Sequence, residues 1–486
     1  MSKKNGNILA IVIMFFLFAM ISFVTGLQNP MGVIVKEQFS VSNAMSQLGN
    51  FANFIAYAFM GLPAGFILKK YGYKVTSLAA VSVGFVGVGV SFLSGIAESF
   101  AIYLIGAFIS GFSMCMLNTV VNPMLNTLGG GGNKGNQLIQ FGGSLNSLAA
   151  TIVPVFVGYL IGDAAKAKIA DANPALFIAM GIFALAFVII LFSHIPEPEL
   201  EAAKAASEEE EKTMDSIKGA LSYRHFVLGV IAIFVYVGVE VGIPNISNLY
   251  LTTPTKEAAA KIIETYEYQN APENTAILET LKAQDAIAED SADKQVVEKD
   301  AYEKAQKVVS GEIKEGKNIN AGVAGTVIGI YWFLMLCGRL LGGVIGGKVS
   351  SRTMMITVSS VAAILLLLGM FMPSVMVTFP TITAELSFST TLIPLGVVFF
   401  MLCGLCTSVM WGSIFNLAVE GLGKYTSIAS GLFMVMVCGG GVLPLIQGAV
   451  ADSVGYLQSY WVLVVCVLFL LYYALRGSRI VNKQAK

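Results

Sequence analysis

Long apolar runs, each closed by a few polar or glycine-rich positions, divide the 486-residue chain into two sets of six. The first set covers about 8–35, 46–68, 75–95, 99–127, 137–161 and 174–194, and the second about 226–251, 321–347, 353–372, 392–421, 426–450 and 456–477. Each run reaches or exceeds the roughly 20 residues an α-helix needs to cross about 30 Å of hydrocarbon. The pattern predicts an all-α membrane protein of twelve transmembrane helices, with a six-helix bundle over 1–196 and another over 225–480. Between them, 197–224 carries the run Glu208 to Glu211 and reads as a solvated cytoplasmic linker. An insertion at 254–320, rich in acids and helix formers, interrupts the second bundle and predicts two or three short amphipathic helices outside the membrane. Lys3 and Lys4 precede the first run like the start of a secretory signal, but the run is too long and lacks a small-residue cleavage site. It is read as an uncleaved first helix.

The loops set the orientation. Lys69, Lys70 and Lys74, Lys134, Lys218 and Arg224, Lys348 and Arg352, Lys424, and Arg476 and Arg479 all fall on one side. An excess of Lys and Arg marks the cytoplasmic face, so both termini are expected in the cytoplasm and the insertion outside. Composition agrees with burial in lipid: 56% of residues are hydrophobic and only 12% charged, with a mean hydropathy of +0.74. Thirty basic residues balance thirty acidic ones, which leaves no global field to attract nucleic acid. The six cysteines lie in apolar runs, and Cys403-x-x-Cys406 has no second pair beside it, so a metal role is not expected.

Two intervals repeat. Lys134…Pro154-x-x-x-Gly158 is echoed by Lys424…Pro444-x-x-x-Gly448, and Asn126 to Gly130 is placed like Val419 to Gly423. Helices four and five thus correspond to ten and eleven, as in a fold of two parallel six-helix repeats. The turn Gly61-Leu-Pro-Ala-Gly65-Phe-Ile-Leu-Lys69-Lys70-Tyr-Gly72-Tyr-Lys74 has a counterpart in Gly342-Gly343…Lys348…Arg352. Its glycines allow close helix approach, and its basic groups stay at headgroup level. Gly65, Lys69, Lys70, Gly72, Lys74, Arg339, Gly343 and Lys348 are therefore expected to serve conformational change.

Polar groups inside the runs locate a pathway, because each is costly in hydrocarbon unless it faces a partner or a wet cavity. They are Gln28 and Asn29 in helix one, Asn118, Asn122 and Asn126 around Pro123 in helix four, Gln140 and Asn146 in helix five, Asn245 beside Pro244 in helix seven, Trp411 and Asn416 in helix ten, and Gln447 in helix eleven. Amides that donate and accept, beside aromatic faces, suit the hydroxyls and C–H face of a sugar. Hydrogen bonding between helices is the alternative for the same groups. Glu240 is the one acid placed well inside a run, and is a candidate for substrate or for a coupled proton or cation. No Ser/His/Asp or Cys/His set, P-loop or zinc spacing is present, so the chain is not expected to be an enzyme and needs no cofactor beyond a co-transported proton or sodium.

On Asn122-Pro123 with Leu128-Gly129, Tyr236-Val-Gly-Val-Glu240, Gly338-Arg339-Leu-Leu-Gly342, and Glu420-Gly-Leu-Gly-Lys424-Tyr-Thr-Ser-Ile-Ala-Ser-Gly431 continuing to Gln447-Gly448 and Ala451-Asp452, the chain resembles the fucose–galactose–proton symporter family of the major facilitator superfamily, in its glucose/galactose transporter branch. The resemblance covers nearly all twelve helices but not 254–320. It implies hexose uptake by alternating access in a bacterial inner membrane by a monomer, usually driven by protons and in some branches by sodium. The family's helix-one aspartate and helix-four glutamate align with Asn29 and Asn118, which do not titrate. Coupling would then fall to Glu240, to sodium, or to nothing. The competing readings are a facilitator for an amino sugar, nucleoside or drug, and a membrane sensor or assembly protein acting through the insertion.

Overall fold

In the computed structural model of the chain, the described residues are 8–24, 31, 48–161, 172–197, 213–271, 297, 299–372, 375–382 and 388–480. Gln28 and Asn29 lie outside them, as does the acidic run at 208–211. The first half provides α1 (Ile8–Val24), a helical stretch Leu48–Ile96 that divides at Gly72 into α2 (48–71) and α3 (73–96), then α4 (Phe100–Leu128), α5 (Gly132–Ile161) and α6 (Asn173–Phe192). After the short linker helix α7 (Thr213–Leu221), the second half provides α8 (Arg224–Thr252), the insertion helices α9 (Lys256–Gln269) and α10 (Lys299–Ser310), α11 (Ala321–Gly346) and α12 (Ser351–Phe371). A β-hairpin follows, β1 (Met376–Ile382) with β2 (Phe388–Pro394), and then α13 (Leu395–Thr407), α14 (Met410–Val419), α15 (Thr426–Val435), α16 (Gly439–Val454) and α17 (Tyr456–Tyr472).

Nine described helices are long and apolar enough to cross a membrane. One of them, Phe51–Ile96, is a double crossing. Along α2, Gly49 meets Tyr103 and Asn118 donates to the Tyr57 hydroxyl, so α2 runs parallel to α4; along α3, Gly84 meets Ser113 and Gly106 meets Ser91, so α3 runs antiparallel to it. The reversal occurs at Gly72, whose φ of 81° suits a residue without Cβ. With the shorter apolar helix α1 and with α5, the described helices are consistent with twelve crossings.

Four elements differ from the sequence expectation. Helix ten is two helices, α13 and α14, with its start moved to Leu395, and helix eleven is α15 and α16 joined by a 3-10 turn at Met436–Cys438. The Thr407 and Ser408 side chains bond back to the carbonyls of Cys403 and Leu405, a local competition that weakens a helix without proline or glycine. The segment before helix ten is not irregular: Val377 pairs with Ile393 and Phe379 with Thr391 in an antiparallel hairpin. The linker is only partly solvated, because α7 buries Ser216 and Ala220 completely. The Lys69 ammonium donates to Ser216 Oγ, and Gly219 of α7 lies against the Tyr425 ring, so α7 touches both halves at the basic-loop end.

The insertion forms two described helices. Ala259, Ala305 and Val308 make a small core of their own, and Tyr266 stacks on Tyr302 with centroids 4.2 Å apart. Backbone hydrogen bonds fasten its return strand to the C-terminal end of α8: Lys317 N to Tyr250 O at 2.9 Å, Asn318 N to Thr253 O at 3.0 Å and Ile319 N to Leu251 O at 2.8 Å.

A candidate transport site between the two halves

The turn at Gly72 is an anion cradle. The amides of Tyr73 and Lys74 donate to the two carboxylate oxygens of Glu197 at 2.7 and 2.8 Å. The Lys74 ammonium reaches the carbonyls of Leu191 and Ser193, both at 2.9 Å, which complements the negative end of α6. Lys70 lies over the ring of Tyr71, and Lys348 is exposed. The basic groups of the first half therefore fasten helix ends to one another. Gly61 and Gly65 permit close contact between halves: a Cβ at Gly61 would sit 2.6 Å from Val435 N, and one at Gly65 3.0 Å from Gly431 Cα.

From this end inward, amides join the halves in layers. Asn126 Nδ2 donates to Asn416 Oδ1 at 2.7 Å, and Asn416 Nδ2 donates to Ser351 Oγ at 2.9 Å. Gln137 Nε2 donates to the Gly343 carbonyl at 2.9 Å, and Gly343 packs against the Phe141 ring. Gln140 Nε2 reaches the Val409 carbonyl at 2.8 Å, at the break between α13 and α14. Pro123 has no N–H for the carbonyl four residues back, and Ser430 Oγ donates to that carbonyl, Thr119 O, at 3.1 Å.

At mid-depth the groups change character. Trp411 Nε1 donates to Asn122 Oδ1 at 3.0 Å, with its ring between Tyr236 and Phe433 at centroid distances of 6.3 and 5.9 Å. Asn118 donates to Tyr57 Oη at 3.0 Å and to the Met114 carbonyl at 3.1 Å. Arg339 has a divided grip. Its Nη2 pairs with Glu240 Oε1 at 3.3 Å, while its Nη1 donates to Gly143 O at 3.1 Å, Asn146 Oδ1 at 3.4 Å and Ser147 Oγ at 2.7 Å. Asn146 itself donates to the Phe18 carbonyl at 3.0 Å.

The structure thus places Asn118, Asn122, Gln140, Asn146, Glu240, Trp411 and Asn416 along the seam, with Asn118, Asn122 and Trp411 as partners of one another. Gln140 and Asn416 belong to the closed seam below the belt, where the expected role was hydroxyl recognition. Asn245 is exposed on α8 and joins no described site. Gln447 lies against Gly242 beside Leu463 inside the second half, with both amide atoms buried and without a hydrogen-bond partner among the described residues. Arg339, expected to serve conformational change, is the counter-ion of Glu240. Sequence reasoning missed Tyr57 and the role of Tyr236, whose buried hydroxyl faces the Glu240–Arg339 pair. An aromatic hydroxyl one turn before an intramembrane acid was the available signal.

A sequence model of the Major Facilitator Superfamily matches residues 13–259, just over half of the chain. The chain belongs to the major facilitator superfamily. This facilitator is 27% identical over 482 residues to the glucose/galactose transporter of Brucella abortus, covering 98% of this chain and 96% of the relative. It is 18% identical to the L-fucose-proton symporter of Escherichia coli over 94% and 91% of the two chains. Among solved structures it resembles the superfamily transporter FucP in its outward conformation, with a TM-score of 0.70 at 17% identity over 98% of this chain and 100% of that one.

Proposed function

We propose that this facilitator imports a hexose of the glucose/galactose kind by alternating access, with the pathway between its halves. The mid-depth belt carries the reading. Tyr57, Asn118, Asn122, Tyr236 and Trp411 put amide, hydroxyl and aromatic groups from both halves at one level, where a sugar would exchange its hydroxyls for their mutual hydrogen bonds. Two relatives carry sugars in their names and match along nearly the whole chain, which supports a sugar over a nucleoside or drug. The basic-loop end is taken as cytoplasmic, so both termini lie inside, in the inner membrane of a bacterium. The chain acts as a monomer, with bundles over 1–196 and 225–480 joined by 197–224.

Counterflow in proteoliposomes tests this without any driving ion. Labelled glucose or galactose should exchange against the unlabelled sugar, and Asn118→Ala should slow exchange about tenfold, the equivalent of one good hydrogen bond. Exchange of a nucleoside but of no hexose would overturn the substrate assignment.

A further inference from the structure

Among the described residues, the side-chain hydrogen bonds named above between the two six-helix halves run between neutral groups except at Arg339. Its guanidinium is divided between them: Nη2 on Glu240 of its own half, and Nη1 on Gly143 O, Asn146 Oδ1 and Ser147 Oγ of α5 in the other. The side chains of Arg339 and Glu240 are only 11% and 13% exposed. When the halves part at the basic-loop end, α5 withdraws and the three α5 acceptors go with it. Glu240 moves with Arg339, so it becomes the principal charge partner left.

A buried guanidinium tolerates a neutral neighbour while other acceptors hold it, but is strongly penalised once they are gone. The groups acting on Glu240 among the described residues are Arg339 and Tyr331 from α11 and Tyr236 from its own helix. Around this stretch α16 presents Leu443 and Gln447, α17 presents Leu463 and α14 presents Trp411, while α13 offers Thr407 and Cys403 to Tyr331. None supplies a second cation or a second carboxylate.

We propose that Arg339 is a positioning residue that makes opening of the basic-loop end conditional on an ionised Glu240. Resting on the transport reading above, this gives the facilitator a protonation-sensitive gate in its second half: a proton on a Glu240 carboxylate oxygen holds this end closed, and its loss to water leaves Arg339 an ionised partner as the end opens.

Two readouts test it. Hydrogen–deuterium exchange of 132–147 in purified protein, corrected for the intrinsic pH dependence of exchange, needs no sugar. It should rise with pH in the wild type, stay low and flat in Glu240→Gln, rise at every pH in Ser147→Ala, and be high and flat in the charge-free pair Glu240→Gln with Arg339→Gln. An exchange profile in Glu240→Gln that still follows the wild type would overturn the proposal, as would a wild type indifferent to pH. In proteoliposomes, hexose counterflow should rise with pH in the wild type and stay slow at every pH in Glu240→Gln. Counterflow in Glu240→Gln that still follows the wild-type pH profile would also overturn the proposal. Absent counterflow in the wild type would instead count against hexose transport and leave the exchange experiment to judge the switch.

Discussion

Helices α4 and α5 of the first half and their counterparts α13–α14 and α15–α16 of the second solve one problem in opposite ways. Each half contains a backbone carbonyl at an irregularity of its helix, and each receives a side-chain donor from the other half. In α4, Pro123 frees Thr119 O, which Ser430 of α15 meets. At the break between α13 and α14, Val409 O accepts from Gln140 of α5 beside its long helical bond from Ser413 N. The exchange is reciprocal under the repeat, helix eleven serving helix four and helix five serving helix ten. The difference lies in what sits above it: a neutral Asn118–Tyr57 contact in the first half, and the Glu240–Arg339 ion pair in the second. Closure is therefore shared symmetrically, while charge is confined to one half.

The largest expected effect comes from breaking that asymmetry. Arg339→Gln leaves Glu240 buried without its cation, a loss of about 3–5 kcal/mol where one member of a buried pair is removed. Thermal unfolding in detergent should show a much lower midpoint, largely recovered when Glu240→Gln is added. If the double variant is no more stable than Arg339→Gln alone, the pair is not what holds α8 to α11.

The reciprocal caps sharpen the comparison at smaller amplitude. Ser430→Ala removes the hydroxyl that meets Thr119 O, and leaving a buried acceptor unmet costs about 1–3 kcal/mol. Gln140→Ala should cost less, about 1 kcal/mol, because Val409 O also accepts from Ser413 N at 3.3 Å. Both costs fall on the closed state, so each variant should raise the labelling rate of a cysteine placed in the seam, Ser430→Ala more than Gln140→Ala. The reverse order would mean that the break in helix ten, rather than the proline in helix four, is the more dependent on the other half.

Apolar run lengths and loop charges were enough to predict twelve crossings, and the basic turn at Gly72 stood out because glycine and lysine are forced by backbone geometry and headgroup chemistry. The polar groups of the pathway were legible as a set, since amides in hydrocarbon are rare. Their division of labour was not. Gln140 and Asn416 have the same chemistry as Asn118, and only the packing of one half on the other decides which amide meets an amide and which lines the belt. Helix breaks at Ser408 and at Met436 escaped because neither contains proline, and the hairpin of β1 and β2 escaped because its threonines and serines resemble a loop. Gln447 was misplaced for a related reason: helix periodicity puts it on a face, but Gly242 and Leu463 determine that this face turns into the half rather than toward the pathway.

The smallest expected effect concerns the region where the halves differ most in length. The insertion has its own core at Ala259, Ala305 and Val308, and it meets the membrane bundle through the backbone ladder of 317–319 on 250–253. That ladder, with Thr253 Oγ1 hydrogen-bonded to Tyr456 Oη at 2.8 Å, belongs to the bundle's outer rim. Replacing 257–314 by a short Gly/Ser linker keeps Gly316 to Ile319 and all their partners, and the ordering cost of a longer or shorter loop is small. Hexose counterflow should then stay within about twofold of the full chain, a change of about 0.4 kcal/mol. Complete loss of transport with intact folding would show that the hairpin acts on the outer mouth of the pathway, and would move the functional asymmetry of the halves from the ion pair to the insertion.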